Sequence, residues 1–280
     1  DSYMDLVIKT TDHTEPLGID KNMPARFLLP LIDQKAASGF VNASLALDQA
    51  RAVKDIQEQE LMRKASHLND MAMAEITHFF KEGVTETDLA EQLKKIYRDL
   101  GADGLSFEPL FAFGSNAASG HHWPDDTRLK PGDCILVDIG CTWEGYCSDM
   151  TRTFFYKNVT QHQQEVYHTV LKANEEAEKA VTPGIPLSSL DQIARGIITD
   201  KGYGSAFTHR LGHFIGLEDH EFGDVSSASA DKAVPGNIFS IEPGVYLEND
   251  MGVRVEDLVL VTDHGHEILN HFSKELTVID

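Results

Sequence analysis

Five residues in the second half of the chain have side chains suited to binding divalent metal ions. Four are carboxylates on two segments with the pattern of β-hairpins, and one is a histidine between them: Asp138, Asp149, His213, Glu242 and Glu256. The first acid pair is symmetric about Trp143 and Glu144, and the second about Asn249. This placement predicts that the acids of each pair are cross-strand neighbours on one sheet face. Because like charges on buried neighbouring strands repel each other, the four acids require a cation.

The types of these ligands indicate which metals the site prefers. Carboxylates with one imidazole suit Mn²⁺ well, and Co²⁺, Fe²⁺ and Zn²⁺ are alternatives. Five ligands are more than one catalytic ion needs, so we expect two divalent ions roughly 3.5–4 Å apart. Such a pair lowers the pKa of water and polarises a carbonyl, which is the chemistry of a hydrolase.

The segments that position these ligands occur twice in the chain. KPGDCILVD matches VPGNIFSIE at a constant offset of 104, which aligns Gly132 with Gly236 and Asp138 with Glu242. Two preceding helical segments, beginning at KEGVTETDL and TPGIPLSSL, match at an offset of 101. The repeat predicts an α+β domain of two similar helix-and-hairpin halves, related by a pseudo-twofold axis. A curved antiparallel sheet with helices on its outer face would place the site on that axis.

Domain organisation follows from hydrophobic periodicity. Apolar residues recur at helical spacing over 54–81 and 161–182, and hairpin patterns fill most of the rest. Near the N-terminus we expect a short strand, a helix starting near Pro24, and a strand or extended connector at FVNASLALD. About fifty residues make a poor core alone, so residues 1–53 are interpreted as the remnant of an N-terminal domain and 54–280 as the catalytic domain.

Composition excludes several classes of partner. The formal net charge of −21 disfavours nucleic acid and anionic membranes. No apolar run reaches the roughly 18 residues of a membrane span. Three cysteines without a CxxC motif predict reduced thiols and a cytoplasmic location.

Histidines are concentrated in two segments. THRLGHFIGLEDHE contains His209, His213 and His220 within twelve positions, among glycines. His121 and His122 are adjacent in the loop segment GSNAASGHHWP. One histidine can bind metal while others donate a proton or a hydrogen bond to a substrate.

The ligand motifs resemble those of the pita-bread metallopeptidases. VDIG, SDMTRTF, GHFIGLEDHE, SIEPGVY and VRVEDLVLVT look like the five ligand motifs of this group, which includes methionine aminopeptidase, aminopeptidase P and Xaa-Pro dipeptidase. The resemblance runs from about Lys54 to the end, and HRLGH and GSNAASGHH are most similar to bacterial Xaa-Pro dipeptidases. Residues 1 to about 50 resemble the last strand and helix of the creatinase-like N-terminal domain found in prolidases.

The resemblance implies a role for each ligand. Asp149 and Glu256 would bridge both ions, and Asp138 would hold one of them. His213 and Glu242 would complete the shell of the other, with Glu242 also serving as the proton shuttle.

Other residues would contact the substrate. His220 would stabilise the tetrahedral intermediate. His209 and His121 would contact the substrate, with His122 as the alternative to His121. Arg254 would support Glu256 or bind the substrate carboxylate. The chain departs from the family motif at two places: Arg210 stands where many relatives have glycine, and the loop reads ASGHH where relatives often read ALPHH.

The sequence therefore predicts a dinuclear-metal peptidase that hydrolyses Xaa-Pro dipeptides through a metal-bridging hydroxide. An aminopeptidase P-type enzyme, which releases the residue before proline from longer peptides, is the alternative. A non-catalytic pita-bread binding module is an alternative from another class, but such modules tend to lose ligands. The resemblance also implies a homodimer for the full-length protein.

Overall fold

The structure is a computed structural model that describes residues 3–280, and it contains two compact units. One unit ends at Arg51 and the other begins at Ala52. The interpretation of the first unit as a domain remnant stays a prediction.

The first unit combines three helices with one parallel strand pair. Its elements are α1 (Tyr3–Thr10), β1 (Pro16–Ile19), α2 (Ala25–Asp33), β2 (Gly39–Asn42) and α3 (Ser44–Ala52). Strand β1 pairs in parallel with β2. In FVNASLALD only the first residues are extended and the rest is helical, because the Asn42 side chain accepts a hydrogen bond from the Ser44 N–H (2.9 Å) and so favours a helix start.

Four helices of the second unit lie close to their predicted positions. They are α4 (Ile56–Thr77), α5 (Glu86–Leu100), α6 (Gln161–Ala180) and α7 (Leu187–Asp200). Capping boxes at Asp55, Thr85 and Thr160 define the starts of the first three. Two short 3₁₀ helices, Gly114–Ala118 and Gly204–Ala206, lie in loops.

The strands of the second unit are mostly antiparallel. They are β3 (Gly104–Leu105), β4 (Leu110–Phe113), β5 (Cys134–Ile139), β6 (Cys141–Trp143), β7 (Tyr146–Cys147), β8 (Met150–Tyr156), β9 (Gly212–Phe214), β10 (Glu221–Val225), β11 (Ile238–Ile241), β12 (Gly244–Leu247), β13 (Met251–Arg254), β14 (Asp257–Thr262), β15 (Gly265–Ile268) and β16 (Val278–Ile279). The two largest sheets have the orders β16-β8-β5-β4 and β10-β9-β11-β14-β15. Strand β16 is the parallel exception, because the end of the chain adds to β8.

Each large sheet carries its own helix pair, which confirms the predicted α+β class. One core joins residues of α4 and α5 to β4, β5 and β8. Another joins α6 and α7 to β9, β11 and β14. The sheets meet where the Glu256 N–H donates to the Thr151 carbonyl (3.1 Å) and Thr153 Oγ1 donates to the Arg254 carbonyl (3.0 Å).

The register of the first hairpin differs from the symmetric prediction. Asp138 faces Thr151 rather than Asp149. The turn residues are Glu144 and Gly145, both with positive φ (47° and 85°), so the turn centre lies one residue later than the midpoint of the two acids. Asp149 therefore lies diagonally across from Asp138.

The second hairpin follows the predicted register. Ile241 pairs with Asp257, and Gly244 pairs with Arg254. Both pairs are consistent with Glu242 lying across from Glu256. Asn249 lies in the turn with a φ of +61°.

Two further observations concern membrane-spanning helices and the cysteines. The helices found within residues 3–280 are all too short or too polar to cross a membrane. Cys134, Cys141 and Cys147 are buried free thiols, as the sequence predicted.

Candidate metal centre and active site

Strand ends from both halves deliver the five predicted ligands to one cavity. Asp138 lies in β5, His213 lies in β9, and the other three lie one residue beyond a strand end: Asp149, Glu242 and Glu256. All five line a cavity of about 390 Å³. The geometry therefore brings together residues that are up to 118 positions apart.

Three of these side chains form a tight buried group. Ligand atoms of Asp149, His213 and Glu256 lie within 4.8 Å of one another. Glu242 adjoins this group, with its Oε1 3.6 Å from His213 Nε2.

The tautomer of His213 suits metal binding. Its Nδ1 lies 3.2 Å from the Phe214 carbonyl, which only accepts hydrogen bonds, so Nδ1 carries the proton. Burial lowers the pKa of His213 to about 3, which keeps the ring neutral. Its Nε2 lone pair then faces Asp149 Oδ2 at 3.4 Å. Two lone pairs at this distance repel each other unless a cation or a proton lies between them.

Carboxylate oxygens without hydrogen-bond partners also indicate that a cation or a proton belongs in this cavity. Asp138 Oδ1, Asp149 Oδ1 and Glu256 Oε1 are buried and have no hydrogen-bond partner among the described residues. Burial, reinforced by the neighbouring acids, raises the pKa values of Asp149 and Glu256 well above their usual range. The pKa of Glu242 rises to about 7, again mainly through burial. Divalent cations would relieve this strain, so the donor set fits a metal site.

The remaining oxygens of these acids are held by the protein. Glu256 Oε2 accepts a hydrogen bond from Thr151 Oγ1 (2.6 Å), and Glu242 Oε1 accepts one from Ser240 Oγ (3.3 Å). Asp138 Oδ2 forms an ion pair with Arg254 Nη2. These contacts orient one oxygen each of Asp138, Glu242 and Glu256 and leave others free for a ligand.

Arg254 lines the same cavity as the candidate metal ligands and uses all three of its nitrogens. Besides Asp138, its Nε donates to Thr151 Oγ1 (3.0 Å), and its Nη1 donates to Tyr246 Oη (2.8 Å) and the Gly120 carbonyl (3.3 Å). Only 3% of the residue is exposed.

His209 belongs to the same network. Its Nδ1 lies 2.7 Å from the Arg210 carbonyl and therefore donates, so its Nε2 accepts from the Tyr246 hydroxyl (2.9 Å). Burial, with the charge of Arg254, lowers the pKa of His209 to about 4. Both ring nitrogens thus have partners within the protein.

His220 stacks on the predicted ligand His213, with ring centroids 3.8 Å apart. Arg210 Nη2 lies 3.2 Å from His220 Nδ1, and because arginine only donates, the ring proton is on Nε2. The Nε2–H is therefore available as a donor beside the candidate metal centre. Asp219 Oδ2 lies 3.4 Å from it.

The loop that carries His121 and His122 is anchored by Glu86. Glu86 is fully buried at the start of α5 and accepts hydrogen bonds from the Phe113 and Asp125 N–H groups (2.7 and 3.1 Å) and from Asn116 Nδ2 (3.0 Å). Its Oε2 also lies 2.6 Å from His122 Nε2. His122 is thus tied to Glu86, although both histidines line the cavity.

A second polar network holds the ligand-bearing strands from the opposite side. Asn174 Nδ2 donates to the Ile241 carbonyl (2.9 Å), next to Glu242. Arg152 Nη1 donates to the Glu256 carbonyl (2.6 Å). Lys274 contacts Asp257 and Glu178, at 2.9 and 2.6 Å, and so links the C-terminal segment to α6.

Comparison with known proteins identifies the family. The model of metallopeptidase family M24 matches residues 60–263. The chain belongs to this family. It is therefore a metal-dependent peptidase, and it has the pita-bread fold that the sequence predicted.

Individual relatives agree with the family match. An uncharacterized peptidase of Staphylococcus aureus (strain MW2) is 41% identical over 244 residues, which cover 87% of this chain and 70% of the relative. The prolidase from Pyrococcus horikoshii OT3 superposes with a TM-score of 0.93 at 32% identity, covering 99% of this chain and 80% of that one. The X-Pro aminopeptidase from Thermotoga maritima MSB8 gives a TM-score of 0.94 at 31% identity, covering 100% and 80%.

Several residues of the site were not predicted from sequence. Tyr246, Thr151 and Ser240 contact side chains of the candidate site through hydroxyl groups that no local pattern distinguishes. Glu86 resembles an ordinary acidic residue in a first helical turn. Ser240 and Tyr246 lie inside the ligand motif SIEPGVY, and Thr151 lies inside SDMTRTF, which is the one signal that could have identified them.

Proposed function

We propose that this member of the M24 family hydrolyses Xaa-Pro dipeptides with two divalent metal ions. The observation that carries the proposal is the set of buried oxygens without partners on Asp138, Asp149 and Glu256, in the cavity that His213 also lines. With Glu242, five side chains are available to hold two ions, for which we propose Mn²⁺, with Co²⁺, Fe²⁺ or Zn²⁺ as alternatives. Bound ions would lower the pKa of water and polarise the scissile carbonyl.

Asp149 and Glu256 are the proposed bridging ligands. They are the most deeply buried of the acids, and together with His213 they form the tight group described above. Asp138 would hold one ion through the oxygen that Arg254 leaves free. His213 and Glu242 would hold the other.

Glu242 is the proposed proton carrier. It lacks an arginine partner, and its hydrogen bond from Ser240 is long (3.3 Å). Its carboxylate can accept a proton from the attacking water and deliver it to the leaving nitrogen. The leaving nitrogen needs this proton because it departs as a neutral amine rather than as an amide anion.

His220 and the cavity wall complete the proposed site. The Nε2–H of His220 can donate to the oxyanion that develops at the scissile carbonyl. His121 lies on the same cavity wall and, with His209, is proposed to contact substrate. An apolar flank can recognise the proline ring by shape, since the ring offers no donor: Phe107, Pro109, Leu110, Trp123 and Pro124.

The proposal is tested by comparing three substrates on metal-reconstituted protein. An Xaa-Pro dipeptide should be cleaved faster than an Xaa-Pro-Yaa tripeptide, and a Met-Ala peptide should be cleaved poorly. Preference for the tripeptide would favour an aminopeptidase P-type activity, which the similarity to the X-Pro aminopeptidase from Thermotoga maritima makes the second candidate. Absence of hydrolysis in all three cases, with metal bound, would favour a non-catalytic module.

Two accompanying proposals concern the cellular setting. Buried free thiols support a cytoplasmic location. We propose a homodimer for the full-length protein, which size-exclusion chromatography with light scattering can test.

A further inference from the structure

Arg210 is the basic residue of the cavity that retains free donors. Among the described residues that line the cavity, arginine or lysine occurs at two positions, Arg210 and Arg254. Arg254 is buried, and each of its nitrogens has a partner within the protein. Four of its five N–H groups have partners there, so it can offer a pair of donors to a carboxylate only by leaving Asp138, Tyr246 or the Gly120 carbonyl without its partner.

Arg210 has a different environment. Its side chain is 36% exposed, and two of its five N–H groups have protein partners, Asp224 Oδ1 and His220 Nδ1, each at 3.2 Å. The remaining N–H groups can form the paired hydrogen bonds with which a guanidinium binds a carboxylate. The backbone beneath it is fixed, because its carbonyl accepts a hydrogen bond from His209 (2.7 Å).

The position of Arg210 relative to the metal ligands fits the size of a dipeptide. His220 stacks on His213 with ring centroids 3.8 Å apart, and Arg210 Nη2 lies 3.2 Å from His220 Nδ1, at the edge of that ring. In a dipeptide the terminal carboxylate lies one residue beyond the scissile carbonyl, about 3.8 Å along the chain. When the scissile carbonyl lies at the proposed metal centre, the terminal carboxylate therefore lies within hydrogen-bonding range of Arg210, which is separated from that centre by the ring of His220.

The charge of the cavity makes such a group necessary. Six carboxylates line it: Glu108, Asp138, Asp149, Asp219, Glu242 and Glu256. Even with cations bound to four of them, the outer acids Glu108 and Asp219 repel a negatively charged substrate. Arg210 is placed to offset this repulsion at the rim.

We propose that Arg210 binds the C-terminal carboxylate of the substrate and thereby makes the site selective for dipeptides over longer peptides. This inference rests on the proposed function, and it identifies the residue that would distinguish a dipeptidase from an aminopeptidase P-type enzyme.

The test compares Ala-Pro with Ala-Pro-amide, which differ only in the charge of the C-terminus. The variants are Arg210→Met, Arg210→Lys and, as a matched control, Arg98→Met on the exposed face of α5. In the Mn²⁺-loaded wild type, kcat/KM should favour Ala-Pro over the amide. Arg210→Met should lower kcat/KM for Ala-Pro roughly 10- to 100-fold, mainly through KM, since a charge-assisted hydrogen-bond pair is lost. It should change kcat/KM for the amide by about 3-fold or less. Arg210→Lys should recover part of the preference for Ala-Pro over the amide, and Arg98→Met should match the wild type.

Calorimetric binding of both peptides separates this inference from the proposed hydrolysis. If the wild type binds Ala-Pro without hydrolysing it, the proposed function is overturned. If Arg210→Met then binds Ala-Pro more weakly than the wild type does, the role of Arg210 is still supported. Equal losses on Ala-Pro and its amide would overturn the role of Arg210, because they would indicate that it acts only through His220. A wild-type preference for the amide would overturn it as well.

Discussion

At the scale of single residues, the site depends on side chains that lack protein partners on one side. Asp149, His213 and Glu256 each direct a free lone pair into one small buried volume. The chain tolerates this arrangement because Thr151 and Arg254 fix the surrounding acids. Metal binding and catalysis should therefore respond differently to each residue.

Replacing Asp149 should affect metal binding most. We expect Asp149→Ala to lose two-ion binding, because a bridging carboxylate serves both ions, whereas Asp99→Ala on the surface of α5 should retain it. Calorimetric titration with Mn²⁺ and metal analysis of the purified variants measure the stoichiometry. Undiminished binding of two ions by Asp149→Ala would contradict the bridging role.

Replacing His220 should affect the rate rather than the affinity. Loss of one oxyanion donor lowers kcat by about 10²- to 10³-fold in comparable sites. We expect His220→Ala to show a decrease of this order, with KM little changed and metal content preserved. A loss confined to KM would place His220 in ground-state binding instead.

Replacing Arg254 should impair all substrates alike. Its nitrogens contact Asp138, Thr151 and Tyr246, so its removal leaves a buried carboxylate unpaired, at a cost of about 3–5 kcal/mol. We expect Arg254→Ala to lower the Tm and to reduce cleavage of dipeptide and tripeptide equally. A selective loss on the dipeptide would assign the carboxylate contact to Arg254 rather than to Arg210.

Much of this residue-level arrangement was accessible from the sequence, and some was not. Acid pairs placed around turns, together with a run of histidines, predicted the five candidate ligands that line one cavity. The contrasting environments of His121 and His122 were not predictable, because they depend on Glu86, which is 36 positions from His122. Local patterns carry no information about such a distant partner.

At the scale of elements, the two halves repeat helices and hairpins but differ in their turns. Matched segments predicted the repeat, since hydrophobic periodicity and Pro-Gly turns are local signals. The register of the first hairpin was predicted wrongly, because it depends on the left-handed conformation of Glu144, a residue type that rarely adopts it. Asp138 consequently faces Thr151, and this places the Thr151 hydroxyl beside both Glu256 and Arg254.

The anchoring of the histidine loop can be tested through Glu86. Glu86→Ala leaves several buried donors of residues 113–125 without an acceptor, so we expect a loss of unfolding free energy of about 3 kcal/mol. The control Glu91→Ala, in the same helix, removes only an exposed ion pair with Lys94 and should cost less than about 1 kcal/mol. Urea unfolding measures both. Similar values for the two variants would mean that Glu86 does not anchor the loop.

At the scale of the whole molecule, the unit that begins at Ala52 is stabilised by buried ion networks as well as by apolar cores. Glu178, Lys274 and Asp257 connect α6, the C-terminal segment and β14. This network could not be predicted, because it joins residues up to 96 positions apart.

The same network should make stability depend on pH. Burial, with the nearby Asp257, raises the pKa of Glu178 to about 8, against an ordinary value of 4.5. Between these values the folded state holds a proton that the unfolded chain has lost, so stability should fall as pH rises from about 5 to 8. Urea titrations of wild type and Glu178→Gln test this, and we expect the difference between them to vary by a few kcal/mol over that range. A constant difference would contradict the raised pKa.

The division of the ligands between the halves also has a kinetic consequence. The ribosome releases Asp138 and Asp149 about a hundred residues before Glu242 and Glu256, and the last strand, β16, then completes the sheet that contains β8. An early intermediate can therefore offer a cation only part of the coordination shell. Because tight binding must await the long-range docking of both halves, metal uptake should coincide with the final step of folding. Bound metal would then distinguish chains in which both halves have docked from those in which they have not.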